Sequence, residues 1–153
     1  MPAERRLAEI LPTRPAPVDA AALIEGVVVD DGVAYVSGVV AFNGADGPRT
    51  GKVGADLTVE EASAEAGQAV ANALYRLIAA LGSLDRVERV LKLTVFVNAT
   101  ESLTEQPEVA DGGSRVLLHV LGERGRHARS AVGVASLPLG ASVEIEMVVR
   151  VAS

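Results

Sequence analysis

The segment "DLTVEEASAEAGQAVANALYRLIAALG", residues 56–82, limits the possible folds more than any other stretch of the chain. Thr58 and Glu61 have the spacing of a capping box, in which a side-chain hydroxyl and a carboxylate satisfy the first free amides of a helix. Ala66, Val70, Ala73, Leu74, Leu77 and Leu81 then recur at helical intervals, and Gly82 is a natural stop. Hydrophobic residues make up 49% of the chain but aromatic ones only 3%, so the core is built from Val, Leu, Ile and Ala. Such a core suits helices packed tightly on a sheet.

The flanking segments supply that sheet. "GVVVDDGVAYVSGVV", residues 26–40, reads as two short strands around a turn at Asp30-Asp31-Gly32, where glycine can adopt the positive φ that tight hairpins need. The glycine-rich "FNGADGPRTGKVG", residues 42–54, is expected to be a flexible loop bordering any cleft; it lacks the spacing of a phosphate-binding loop. Ser83 can cap a short turn that feeds the strand "LKLTVFVN", residues 91–98. Residues 105–121 place Val109, Gly113, Val116, Leu117, Val120 and Leu121 on one helical face, although Gly112 and Gly113 each weaken a helix by roughly 1 kcal/mol relative to alanine. "ARSAVGVA" and "ASVEIEMVVRVA" close the chain as two strands joined by "SLPLG".

This order describes one α+β domain, residues 1–153, with about five strands and two helices on one face of their sheet. An extended lead-in occupies about residues 1–18, where "LPTRPAP" disfavours regular structure. Read as a hairpin, the last two strands direct Val132, Val134, Val143, Ile145 and Met147 to the helices. Arg129, Ala131, Gly133, Glu144 and Glu146 then share the other face. That face is either solvated, as antiparallel sheets often are, or covered by another subunit.

A formal net charge of -6 argues against a nucleic-acid surface, including a ribonuclease site, because phosphate neutralisation needs clustered Lys and Arg. The absence of cysteine excludes disulfides and thiolate chemistry. No apolar run has the length of a signal peptide or a membrane span, which points to a soluble cytoplasmic protein with no membrane partner. His119 and His127 have no metal-ligand spacing, so no metal is expected, and no organic-cofactor motif is visible in the sequence, so none is expected either.

"ARSAVGVASLPLGASVEIE", residues 128–146, resembles the C-terminal signature of the Rid family (reactive intermediate deaminases, also called YjgF or L-PSP endoribonuclease-like). "YVSG" at 35–38, "LTVEEASAEAGQAVANAL" at 57–74 and "LDRVERVLKLTVFVN" at 84–98 are similar to its second strand, first long helix and central strand. "TGKVGADLTVEE" and "GRHARSAVGVASLPL" resemble a longer branch of the family.

The resemblance implies a chorismate-mutase-like fold, one mixed sheet of about five or six strands with two helices packed on one face, assembled as a homotrimer with a cleft for a small carboxylate-bearing metabolite at each subunit interface. It further implies hydrolytic deamination of an imine or enamine. Arg129 would hold the substrate carboxylate, with Ser130 and Ala131 beside it, and Glu144 on the facing strand would position water. A guanidinium suits that task because its planar fork grips a carboxylate in two places. His127 is an added acid/base candidate. The chain departs from the family pattern where a Tyr, a Cys and an Asn are usual: Ile24, Ala131 and the Gln106-Pro107 region stand there. Those changes leave open a Rid-fold enzyme turned to another reaction, or a trimer that binds a ligand without chemistry.

Overall fold

The computed structural model describes residues 1–42 and 46–153; the remainder of the glycine-rich loop, residues 43–45, lies outside the described residues. Helix α1 spans Ala3–Ile10, followed by strands β1 (Val27–Asp30) and β2 (Val33–Val40) and the long helix α2 (Val59–Leu81). Strand β3 (Val87–Asn98), helix α3 (Gln106–Leu121) and strands β4 (Ala128–Val134) and β5 (Val143–Val151) complete the chain. The five strands form one mixed sheet in the order β1-β2-β5-β3-β4.

Local sequence explains the boundaries. Thr58 accepts from the Glu61 amide while the Glu61 carboxylate accepts from the Thr58 amide, closing the capping box, and Gly82 ends α2 in the left-handed conformation at φ 88°. Asp31 and Gly32, at φ 47° and 75°, make the two-residue turn between β1 and β2. The Ser83 hydroxyl accepts from the Asp85 amide and caps the short turn before β3.

The two glycines of α3 exist for packing. An ideal Cβ on Gly112 would lie 1.9 Å from the Ser63 carbonyl oxygen, and one on Gly113 would lie 3.0 Å from Val70. Their helix-propensity cost lets α3 approach the backbone of α2 directly.

Three sequence expectations are corrected. The lead-in is not wholly extended: α1 buries Ala3 and Leu7 against the helical layer, and Arg6 donates to the Val120 carbonyl at 3.1 and 2.6 Å. An amphipathic turn followed by proline-rich chain gave too short a periodic signal to separate from coil. Among the described residues the layer therefore holds three α-helices, not two.

The last two strands are not a hairpin. β5 lies between β2 and β3, antiparallel to both, whereas β4 runs parallel to β3 at the sheet edge. Parallel register pairs Arg129 with Leu93 and Ala131 with Val95, both core residues, so Arg129, Ala131 and Gly133 belong to the helix-facing side. Val132, expected in the core, is 44% exposed on the opposite side. The small residues of β4 thus make room for α3: a Cβ on Gly133 would sit 3.1 Å from the Gln106 amide nitrogen.

The uncovered face carries Val28, Tyr35, Phe96, Val132 and Val148 among Thr94, Glu144 and Glu146. Val28 and Tyr35 are half-exposed there.

Candidate functional site

Arg129 stands near the start of β4, where α3 covers the sheet edge incompletely. Its Nη1 donates to Asp111 Oδ1 at 2.8 Å and to Ser114 Oγ at 3.1 Å. Asp111 and Ser114 are three residues apart on α3 and so face β4 together. Both protein contacts use Nη1; among the described residues, Nε and Nη2 have no hydrogen-bond partner. One edge of the guanidinium is anchored, and the Nε/Nη2 edge remains free for a bidentate anion.

A directional chain of hydrogen bonds extends from this arginine. His127 Nδ1 lies 2.6 Å from the Gly125 carbonyl, which can only accept, so Nδ1 carries the hydrogen. In the neutral ring Nε2 is then an acceptor, and Ser114 Oγ, 2.9 Å away, donates to it. The Ser114 oxygen in turn accepts from Arg129. Ser114, Leu118, Arg126, His127 and Arg129 line a shallow cavity of about 250 Å³. An anion-binding edge, a hydroxyl and an oriented imidazole therefore share one concavity.

Glu144 does not face Arg129 within the chain. It pairs with Phe96, whereas Arg129 is level with Leu93 and Met147. The two side chains are on opposite faces, displaced by roughly 10 Å along the strands and about two strand spacings across. Arg129 and Ser130 also point to opposite faces, and Ser130 is exposed opposite Thr94. Glu144 instead lies over Gly38, where an ideal Cβ would meet its carboxyl atoms at 3.1–3.3 Å. Burial, reinforced by the negative charge of Glu146, pushes the Glu144 carboxyl above its usual pKa.

The other sequence-selected residues fall outside this arrangement or at its margin. Ala131 is partly buried against the core beneath α3, with no polar side chain to offer. Gln106 donates to the Leu103 carbonyl at 2.9 Å, and Ile24 is exposed. His119 faces solvent 3.9 Å from Glu9. The described end of the glycine-rich loop is tied down, with Lys52 Nζ donating to Asn98 Oδ1 at 3.0 Å and to the Ala135 carbonyl at 2.6 Å.

Asp111 and Ser114 were not singled out from the sequence. Their signal was present as two polar residues flanking the glycine pair, but its meaning depends on β4 lying beside α3.

Comparison with known proteins places this geometry in context. The family model described as "YjgF/chorismate mutase-like, putative endoribonuclease" matches residues 20–150. Protein TCP17 of Trypanosoma cruzi is 51% identical over 117 residues, covering 76% of this chain and 73% of that protein. The crystal structure of Atu1372 from Agrobacterium tumefaciens superposes with a TM-score of 0.91 at 38% identity, covering 98% of this chain and 92% of that one. RidA from the Antarctic bacterium Psychrobacter sp. PAMC 21119 gives a TM-score of 0.60 at 28% identity, covering 91% and 96% respectively.

Proposed function

Because the chain belongs to the YjgF/chorismate mutase-like family, we propose that it is a Rid-type hydrolytic deaminase of a small carboxylated imine or enamine, acting between copies of itself. The observation that carries this reading is the free Nε/Nη2 edge of Arg129 beside the Ser114–His127 pair. The substrate carboxylate occupies that edge. This holds the imine carbon near the hydroxyl and the imidazole.

Hydrolysis adds water across the C=N bond to give a carbinolamine, which expels ammonia and leaves a carbonyl. His127, through Ser114, accepts a proton as water adds and returns one to the departing nitrogen. Positioning and proton transfer account for the step, since the imine carbon is already electrophilic.

Glu144 enters from a neighbouring copy and orients the attacking water. A homotrimer provides such a neighbour. Two features support assembly: exposed Val28, Tyr35 and Val132 lie on the uncovered face, and β4 has an unpaired edge. The alternative reading recruits the same cavity to another reaction on a carboxylated intermediate. It is favoured by the departures from the family pattern: Ala131, packed against the core, offers no polar side chain near Arg129, and Ile24 stands exposed.

The test is ammonia release from freshly generated 2-iminopropionate and bulkier imino acids. Acceleration by the wild type that disappears in Arg129→Ala is the expected result. Equal rates with and without protein for every imino acid would overturn the deaminase reading, and a monomer by light scattering at micromolar concentration would remove the shared cleft.

A further inference from the structure

A second concavity lies away from Arg129, between the lead-in segment 14–18, the later turns of α2 and the end of β2. Two adjoining cavities of about 410 and 630 Å³ share Arg14, Val18, Phe42 and Arg76 in their linings. Pro15 and Pro17 contribute apolar wall to both cavities, while Tyr75 and Ala80 contribute to the first. The walls are mainly apolar, with two guanidinium groups among them.

Arg76 has an unusual setting among the arginines of this chain. Arg49, Arg126 and Arg129 each have a carboxylate partner, and Arg6, Arg86 and Arg124 each make two or more hydrogen bonds to backbone carbonyls. Arg76 is half-buried, passes beneath Gly26, and makes one long hydrogen bond, Nη1 to the Gly38 carbonyl at 3.4 Å. Among the described residues no carboxylate lies within ion-pair distance of it. Burial lowers its pKa, as expected for a cation removed from water without a compensating charge. The nearby Arg14 instead sits 5.4 Å from the centre of the Tyr75 ring.

We propose that this trough binds a small organic monocarboxylate with an apolar body. The carboxylate pairs with Arg76, and the body lies along the lead-in prolines, Tyr75 and Ala80. Arg14 and Arg76 set against Glu25 leave the lining one net positive charge, which a single carboxylate neutralises. That charge balance favours a monoanion. The site is independent of the deaminase reading, because it shares no residue with the Arg129 cavity.

Octanoate, titrated into the full-length protein by calorimetry and by amide NMR, is the probe. Binding is expected, with shifts centred on residues 14–18 and the later turns of α2. Arg76→Gln should weaken octanoate by about tenfold or more, and uncharged octanamide should bind the wild type correspondingly weakly, because each change removes a charge-assisted pair.

Ala80→Phe, at an exposed helical position in the wall, should narrow the trough and weaken binding without disturbing the core. Arg129→Ala should leave the octanoate-induced shifts of residues 14–18 and of the later turns of α2 unchanged. Absence of octanoate binding at millimolar concentration, shifts centred on Arg129, or affinity unaffected by both Arg76→Gln and Ala80→Phe would overturn the proposal.

Discussion

Arg129 and Glu144 come from strands of similar sequence character, yet the fold treats them in opposite ways. Arg129 sits on an edge strand beneath α3, where Asp111 and Ser114 satisfy one side of its guanidinium. Glu144 sits on a strand inside the sheet, on the uncovered face, over a glycine and near the like charge of Glu146. One ionised group is held by partners, whereas the other is partly desolvated and repelled. A charged residue in a signature motif can therefore be positioned by hydrogen bonds or kept poised by the lack of them.

The proposed anchoring role gives the largest expected difference between the two sides. Arg129→Ala should lower kcat/KM for an imino acid by roughly 10²- to 10³-fold through loss of a bidentate anchor, measured beside Arg129→Lys, whose ammonium cannot reproduce the fork. Full activity in the lysine variant would break the distinction drawn for this site. Gly112 separates the two residues of α3 that hold Arg129, and its Cβ position coincides with the Ser63 backbone. Gly112→Ala should cost about 3 kcal/mol, read by denaturant melting, and should loosen Arg129 as α3 moves away.

Smaller effects sharpen the comparison. Ser114→Ala interrupts the hydrogen bond to His127 and should reduce kcat by about tenfold or more with little change in KM, since Arg129 keeps Asp111. Asp111→Asn removes a partly exposed ion pair worth less than about 1 kcal/mol, so its thermal midpoint should barely move.

Glu144 provides a pH test of opposite sign to an ordinary salt-bridged acid. Its carboxyl is raised on folding, so the folded state binds the extra proton. Stability from this group is then lost as pH rises from the usual carboxylate range through the raised one. Glu144→Gln should flatten that part of the stability-pH curve and slightly favour folding at neutral pH. A steeper fall in the variant would show that Glu144 is stabilised as an anion.

Much of the fold was legible because it depends on near neighbours in sequence. The capping box at Thr58 and Glu61, the stop at Gly82 and the turn at Asp31-Gly32 each involve residues within a few positions of one another. Arg129 and His127 were legible as a cation and an imidazole at the head of an apolar strand. Their partners were not, because Asp111 and Ser114 are exposed-looking polar residues until β4 lies next to α3.

The error over β4 has the same origin. Alternation distinguishes two faces but does not say which face meets the helices, and the parallel pairing with β3 reverses the assignment expected from a hairpin.

By itself, then, the sequence determined the α+β class, the limits of α2 and the turn between the first strands, because short-range sterics and capping decide those features. Tertiary structure alone decided that β5 enters between β2 and β3, that Arg129 joins α3, and that Glu144 lies on the other face. Those outcomes depend on strand order and register, which arise from burying one continuous core across distant segments and leave no local trace in the residues concerned.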